Sequence, residues 1–199
     1  MANNKEPIAK KCRSLDISPA VMGYGNKKST RNPGGNKRKK VSEYGMQLKE
    51  KQKVKFVYGI QEKQFRNYYD KAVRLEGNTG ETLLSFCERR LDNVVYRLGF
   101  ANSRRQARQL VNHGHFTVNG ERVNIPSYMI KVGDVVAVSE KSASNAFFKK
   151  LKEDDAFVAA PKWLDRDKNA LQGKVIALPT KADIDFDIAV HLIVELYSK

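Results

Sequence analysis

The chain has 199 residues and a net charge of +15, with no apolar run near the ~20 residues of a membrane span and no apolar signal core at its start. The charge is uneven, because residues 1–45 carry 11 basic and 3 acidic side chains whereas residues 139–199 carry 10 of each. This gradient indicates a polyanionic partner. Nucleic acid is favoured over an anionic membrane, since no lipid-binding amphipathic helix or lipidation motif is present.

Residues 1–45 are rich in Gly, Asn, Ser and Lys and poor in periodic apolar residues. Such a composition buries too little apolar surface to offset the entropy lost on ordering the chain. We therefore expect a basic extension that is loose in isolation and becomes ordered on a polyanion. Its densest charge is the run from Lys37 to Lys40, which on its own is also typical of a solvated surface segment.

Three helices are predicted between residues 46 and 90 from apolar residues spaced three and four apart. The first ends near Gly59, the second has an apolar face from Phe65 to Val73 and stops at Gly77, and the third is capped by Thr79. The spacing of the aromatic residues in the second helix favours core packing over stacking on bases. Cys87 lies in the apolar stripe of the third helix, so we expect a buried thiol and not a nucleophile.

Two more helices are predicted from residue 91 onward. The apolar spacing of residues 91–98 indicates the first, which ends at Gly99 in a left-handed cap. The second begins with a capping box, in which Ser103 accepts a hydrogen bond from a free backbone N–H and Gln106 reaches back to another. This short helix ends at Gly114.

Three arginines of that second helix, Arg104, Arg105 and Arg108, fall within roughly 100° of arc beside its apolar stripe, counting 100° per residue. The helix is therefore expected to pack on one side and to present three guanidinium groups on another. Such a face suits contacts with phosphates and grooves better than a buried substrate pocket. No Gly-rich phosphate loop, nucleophile elbow or Cys-x-x-Cys motif appears, so no catalytic residue is predicted.

A β-hairpin follows the cationic helix. Residues 115–118 are predicted as a strand, Asn119–Gly120 as a turn that tolerates positive φ, and residues 123–125 as the returning strand. A turn at Gly133–Asp134 leads into a last strand at 135–138. The predicted fold class is α+β, with a mostly helical first domain and a small domain of two helices packed on a short antiparallel sheet.

The remaining residues complete the predicted domain organisation. An amphipathic helix is expected at 142–157, and "GKVIALP" is expected to form a short strand. "DIDFDIAV" alternates as a strand does, but the spacing of residues 188–196 favours an acidic turn followed by a C-terminal helix. The predicted boundaries are 1–45 for the extension, 46–90 for the helical domain with 187–199 joined to it, 91–155 for the small domain and 156–199 for the C-terminal segment.

The segment "SRRQARQLVNHGHFTVNG" closely resembles the RNA-binding domain named after small-subunit ribosomal protein S-four. The resemblance to that protein family extends to "EYGMQLKEKQKVKFVYGIQEKQFRNYYDKA" and to "HLIVELYSK". It implies a cytoplasmic constituent of the small ribosomal subunit that binds 16S ribosomal RNA in its 5′ part, early in assembly. It also implies a role in translational accuracy near the site where messenger RNA enters, and ribosomal protein five as a neighbour. Repression of its own operon is possible for a member of this family and is left open.

The resemblance places the Ser103–His115 segment against RNA, with Gly114 and Gly120 at its turns. The run from Lys37 to Lys40 corresponds only to a loosely defined basic stretch of the family. The full set of predicted RNA-binding residues is Arg13, Lys37, Arg38, Lys39, Lys40, Lys53, Lys55, Arg66, Ser103, Arg104, Arg105, Arg108, His113, His115, Asn119 and Lys131.

No metal or other cofactor is predicted. Some family members hold zinc with four N-terminal cysteines, but only Cys12 is present here, so that site is expected to be absent. His113 and His115 lack further ligands nearby, and they are expected to bond phosphate or ribose, or to pack at the helix end. The domain also occurs appended to tRNA synthetases, pseudouridine synthases and heat-shock proteins. An RNA-modifying enzyme is disfavoured because no catalytic constellation appears, while a free RNA-binding regulator stays an alternative that co-sedimentation with small subunits distinguishes.

Overall fold

The computed structural model of the protein describes residues 7–25, 42–153, 160–167 and 170–198. In these ranges the helices are α1 (Ile8–Leu15), α2 (Glu43–Tyr58), α3 (Glu62–Val73), α4 (Thr79–Glu88), α5 (Leu91–Arg97), α6 (Arg104–Asn112), α7 (Glu140–Ala143), α8 (Ala146–Glu153) and α9 (Val190–Ser198). The strands are β1 (Phe116–Val118), β2 (Glu121–Arg122), β3 (Val135–Val138), β4 (Leu164–Asp167) and β5 (Gln172–Val175), and short 3₁₀ turns lie at Pro19–Met22 and Lys181–Asp183. The combination of helices with a small antiparallel sheet confirms the α+β prediction.

The chain folds into two compact units. The first comprises Met1–Thr82 with Asp185–Lys199, and the second comprises Leu83–Ile184. Residues 91–155, predicted as the small domain, do not include β4 and β5, which belong to the same sheet, since β5 pairs with β3 and β4 pairs with β5.

The N-terminal part of the first unit contains a small core that the sequence analysis did not predict. Cys12, Leu15 and Met22 are buried, and the Cys12 Sγ lies 4.0 Å from the Met22 Sδ. The expectation that residues 1–45 contain no core is thus wrong for residues 7–25, because the average composition hid a few apolar side chains at helical spacing. Residues 26–41, including the basic run from Lys37 to Lys40, lie outside the described residues.

Helix α2 is the longest helix of the first unit, and α9 packs on it. The Ser42 side chain accepts a hydrogen bond from the Gly45 N–H at 3.2 Å, and Gly59 ends the helix with a φ of +61°. The Glu50 carboxylate accepts a hydrogen bond from the Ala189 N–H at 3.0 Å, which holds the start of α9. The predicted C-terminal helix is confirmed, although it begins at Val190.

Two details of α3 and α4 differ from the prediction. Val73, expected on the apolar face of α3, is exposed, because the helix ends there and the buried stripe stops one residue earlier at Ala72. Asn78, rather than Thr79, caps α4, since its side-chain oxygen accepts from the N–H groups of Gly80 and Glu81 at 3.0 and 3.4 Å. Asparagine is among the strongest N-cap residues, so the shift by one position has a direct chemical reason.

The sheet of the second unit has five described antiparallel strands in the order β2-β1-β3-β5-β4. One face is buried against α5 and α6 and carries Phe116, Val118 and Val136. Thr117 lies opposite Ala137 and opposite Arg122, so these residues share the outer face. The returning strand of the hairpin is Glu121–Arg122 and not 123–125, and β4 was not predicted at all.

The single amphipathic helix predicted after Val138 is divided into α7 and α8. Asn145 lies at the division, where its side-chain oxygen accepts a hydrogen bond from the Phe147 N–H at 3.2 Å and starts α8. Phe148 is fully buried in the core of the second unit, so the apolar face of α8 was correctly predicted. Residues 154–157 of the predicted helix lie outside the described residues.

Gly173→Ala tests the packing of the sheet on α5. A Cβ at Gly173 would overlap the Leu98 side chain, which is fully buried, and the glycine has no positive φ that would add backbone strain. Overpacking of this kind is expected to lower the free energy of unfolding by about 1–3 kcal/mol. Urea denaturation measures it, with the neighbouring exposed Lys174→Ala as a control. The double variant Gly173→Ala/Leu98→Ala should lose less free energy of unfolding than the sum of the two single variants, because the smaller side chain at position 98 makes room for the new Cβ. Strict additivity of the two losses would contradict the overlap.

Candidate nucleic-acid interface

The cationic helix α6 begins with a modified capping box. The Ser103 side chain accepts from the Gln106 N–H at 3.3 Å, as predicted. The Gln106 side-chain oxygen, however, accepts from the N–H of Asn102 at 2.8 Å rather than from that of Ser103. Two backbone N–H groups at the helix start are satisfied in this way, so the orientation of α6 is fixed by its own first turn.

The three arginines of α6 have different environments, and this corrects the expectation that all three are exposed. Arg104 is only 6% exposed, its Nε donates to the Asn93 Oδ1 at 2.7 Å, and its guanidinium lies 4.5 Å from the centre of the Tyr96 ring. Arg108 donates from Nε and Nη2 to the Asp92 Oδ2 at 2.9 and 2.7 Å. Arg105 is half-exposed and has no hydrogen bond or ion pair among the described residues.

Two buried carboxylates, Asp92 and Glu88, accept hydrogen bonds from arginines on and around α5 and α6, and together these groups form a buried network. Asp92 also accepts two hydrogen bonds from Arg90, at 3.0 and 2.8 Å. Glu88 accepts from Arg97 at 2.9 and 3.2 Å and from the Asn93 amide at 2.7 Å. Glu88 and Asp92 are 1% and 2% exposed, so these hydrogen bonds compensate carboxylates that are removed from water.

The hairpin after α6 is held at its tip by a polar side chain. Asn119 and Gly120 have φ of +51° and +87°, as the predicted turn requires. The Asn119 amide donates to the Asp134 Oδ1 at 2.9 Å and accepts from the Val135 N–H at 2.9 Å, which fixes the tip to the start of β3. The Lys131 side chain is exposed beside this turn, while its backbone N–H donates to the Asp134 carboxylate at 2.7 Å.

A groove of about 630 Å³ lies on the outer face of the hairpin. Thr117 and Ala137 form its floor, and the hairpin glycines and the α7 segment lie around it. Its charged and titratable lining residues are His113, His115, Arg122, Glu140 and Lys141. We call this feature the hairpin groove.

Arg122 is oriented by the end of α6. Its Nε donates to the Gly114 carbonyl at 2.9 Å and its Nη2 donates to the His113 carbonyl at 3.1 Å. A side chain at Gly114 would overlap the guanidinium, and the φ of +73° there also favours glycine. Arg122 is not among the residues predicted from the sequence to bind RNA, although a basic residue beside a predicted hairpin turn is a detectable signal.

The His115 ring is fixed by a chain of hydroxyl groups. Its Nδ1 lies 2.9 Å from the Ser142 Oγ, which accepts from the Ser139 hydroxyl at 2.8 Å. Burial, followed by the charges of His113 and Arg122, lowers the pKa of His115 below its ordinary value. The neutral imidazole therefore predominates at neutral pH. The hydroxyl groups contact the ring through Nδ1 and not through Nε2.

A second cationic surface lies on the first unit, around Glu62. Lys51 and Lys55 donate to its carboxylate at 3.0 and 2.5 Å, and the Tyr197 hydroxyl donates at 2.7 Å. Burial raises the pKa of Glu62, but the hydrogen bonds from Lys55, Tyr197 and Lys51 outweigh it and lower that pKa to about 2. The Arg66 guanidinium lies 5.8 Å from the centre of the Tyr197 ring. We call this arrangement the Glu62 cluster.

The other predicted residues are placed as follows. Arg13 is exposed and donates to the Ala9 carbonyl of its own helix at 3.2 Å. Lys53 forms an ion pair with Glu50 at 2.6 Å. Lys51 and Lys141 join Arg122 as cationic residues that the prediction omitted.

Neither a membrane span nor a metal cluster is found in the part of the chain that the structure describes. No described helix combines the length and apolarity needed to cross a membrane. Among the same residues, no three or more His, Cys, Asp or Glu side chains are grouped to hold a metal ion. Cys12 and Cys87 are both buried, and burial raises the pKa of each thiol, so the protonated form is favoured.

A capped cationic helix followed by a tight hairpin and a cationic groove, in a chain with a net charge of +15, is typical of RNA-binding proteins. A family model described as "Ribosomal protein S4/S9 N-terminal domain" matches residues 3–88, and the "S4 domain" model matches residues 89–136. The chain belongs to the ribosomal protein S4 family, whose members are structural proteins and not enzymes. The family predicted from the sequence is thereby confirmed.

Several curated relatives carry the name "Small ribosomal subunit protein uS4". The protein of Lachnospira eligens is 52% identical over 199 residues, and that of Fusobacterium nucleatum is 54% identical over 199 residues, with 100% of both chains covered in each case. The protein of Caldicellulosiruptor bescii is 62% identical over 165 residues, which are 83% of this chain and 79% of the relative.

Arg105→Ala is expected to affect RNA binding, whereas Arg108→Ala is expected to affect stability. Arg105→Ala should leave the free energy of unfolding within about 0.5 kcal/mol of the parent, as for an ordinary surface change, but should weaken RNA binding. Arg108→Ala should lower the free energy of unfolding by about 1–3 kcal/mol, because the substitution removes two hydrogen bonds to a buried carboxylate. Urea denaturation and RNA-binding titrations measure the two effects. Equal stability of the two variants would contradict the assignment of Arg108 to the buried network.

Glu62→Gln should change how stability depends on pH. The folded-state pKa of Glu62, about 2, lies below the ordinary 4.5, so its ionised form stabilises the fold above pH 4.5. This contribution is lost as the pH falls from 4.5 toward 2. The melting temperature of the variant should therefore lie below that of the parent at neutral pH and approach it in acid. Glu76→Gln, which changes an exposed glutamate, is the control, and a constant difference across this pH range would contradict the explanation.

Proposed function

We propose that this protein is a structural constituent of the small ribosomal subunit that binds 16S ribosomal RNA in its 5′ part, early in assembly. The observation that carries the proposal is family membership over the whole chain, at 52% and 54% identity to relatives named as small ribosomal subunit proteins. The net charge of +15 supports a polyanionic partner, since each phosphate contact releases counterions.

Exposed and partly exposed cations supply the contacts in this proposal. On the second unit we assign this role to Arg105 and Lys131, and on the first unit to Arg13, Arg66 and the lysines of the Glu62 cluster. Arg104 and Arg108 act indirectly, because their guanidinium groups hold α6 against α5. Phosphate contacts of this kind position the protein, and they carry little sequence information.

A protein neighbour is also part of the proposal, and ribosomal protein five is the candidate. Exposed apolar side chains on two segments of the second unit support such a contact: Ile125, Tyr128, Val132, Ile176 and Leu178. The Gly133 N–H donates to the Val175 carbonyl at 2.8 Å, so the two segments lie side by side. We further propose that the protein is cytoplasmic, that it contacts messenger RNA where the messenger enters the small subunit, and that it contributes to translational accuracy.

Binding to a 16S fragment from the 5′ part tests the function. The logarithm of the affinity should fall linearly with the logarithm of salt concentration, with a slope of about −0.7 to −0.9 for each phosphate contacted. The protein should also sediment with small subunits in high salt. Salt-insensitive affinity would contradict phosphate neutralisation, and RNA binding without co-sedimentation would instead indicate a free regulator.

A further inference from the structure

We infer that the hairpin groove binds one unpaired nucleotide of the RNA, with the phosphate against Arg122 and Lys141. The inference rests on the RNA-binding function proposed above and adds a specific subsite to it. It concerns residues of the second unit alone, and neither Arg122 nor Lys141 was among the RNA-binding residues predicted from the sequence.

The shape of the groove suits a single nucleotide. A volume of about 630 Å³ lies within the range of roughly 300–1,000 Å³ found for sites that enclose small ligands. Thr117, Ala137 and Gly120 are small lining residues, which leave room for a planar base above the outer face of the sheet. The imidazole rings of His113 and His115 lie 6.0 Å apart at one side and offer surfaces for stacking. Only an unstacked base of a single strand or a loop can enter such a recess.

Arg122 is oriented in advance for a phosphate. Two of the five guanidinium N–H donors bond the carbonyls of His113 and Gly114, which leaves three donors for a ligand. A side chain already held in place loses less entropy on binding, and the planar guanidinium matches two phosphate oxygens at once. Lys141 is exposed on α7 and supplies a second charge to the same groove.

His115 makes the site sensitive to pH. Its lowered pKa favours the neutral ring in the free protein, where the groups facing it are His113, Arg122, Ser142 and the Phe148 ring. A phosphate in the groove would favour the imidazolium and raise that pKa, so binding would take up a proton. Affinity should therefore rise as the pH falls from the pKa of His115 in the complex toward its lower pKa in the free protein.

The charges of the lining favour a nucleotide over an acidic peptide or a simple anion. Glu140 lies at the same groove as the two cations and would repel a ligand that carries several carboxylates. A single phosphodiester has one negative charge and an attached base, and the base gains contact with the imidazole rings. A small inorganic anion would leave most of the groove without contact.

Matched lysine variants form the central experiment. Lys141→Gln and Lys152→Gln each remove one exposed lysine from a neighbouring short helix, but only Lys141 lines the groove. Lys141→Gln should weaken binding of the 16S fragment about tenfold, as expected when a charged hydrogen bond is lost, and should lower the salt slope by about 1. Lys152→Gln should change the affinity less than about twofold, as expected for a surface change away from the contact. Arg122→Gln should act as Lys141→Gln does, with thermal unfolding measured because Arg122 also bonds the end of α6.

Histidine resonances supply a readout that is independent of affinity. In the full chain, the ring signals of His113 and His115 should shift on addition of the 16S fragment or a short oligouridylate, and the pKa of His115 should rise. The signal of His191, on α9 of the first unit, serves as an internal reference for changes away from the groove. Inorganic phosphate at matched ionic strength should produce little of this change.

Each outcome decides the inference. Parent-like RNA affinity of Lys141→Gln, with unmoved His113 and His115 signals, overturns the groove assignment and leaves the proposed function standing. Equal losses from the two lysine variants also overturn the groove assignment, because they indicate general charge neutralisation. An equal histidine shift with inorganic phosphate overturns the nucleotide assignment, and complete absence of 16S binding by the parent overturns the proposed function together with the inference.

Discussion

The arrangement of the second unit depends on two buried carboxylates, Glu88 and Asp92. Between them they accept hydrogen bonds from the guanidinium groups of Arg90, Arg97 and Arg108, which lie just before α5, at the end of α5 and on α6. Removing one partner from such a network destabilises the fold, because a buried charge loses part of its compensation. The network therefore fixes the orientation of α6 on α5, and with it the position of the hairpin that follows α6.

The same kind of pairing limits how much of the positive charge is available to a partner. Arg104 contacts Asn93 and Tyr96, and Lys53 is paired with Glu50, so a count of basic residues overstates the cationic surface. The Glu62 cluster differs, because one carboxylate holds two lysines and leaves a net positive charge in place. Acidic residues in this protein thus position cations as well as neutralise them.

Local signals made much of the fold predictable, whereas non-local pairing did not. The Asn119–Gly120 turn, strand β3 and the end of α2 at Gly59 follow from short-range chemistry and were predicted closely. Strand β4 was missed because Leu164–Asp167 is mostly charged, and its place depends on pairing with β5. Of the candidate site, the helix and hairpin were foreseen. The burial of Arg104 was not, since an angle around α6 does not say which side α5 covers.

In our inference, two residues of the hairpin groove convert a helix end into a site suited to anions. The C-terminal carbonyls of a helix carry partial negative charge and normally attract cations, so a phosphate there would be repelled. Arg122 bonds the carbonyls of His113 and Gly114 and neutralises them, while its remaining donors face the groove's ligand in our inference. Gly114 is needed for this, because any side chain there would overlap the guanidinium. The glycine that ends α6 and the arginine of β2 therefore form one functional pair, and a change at either position is expected to affect both the helix end and the groove.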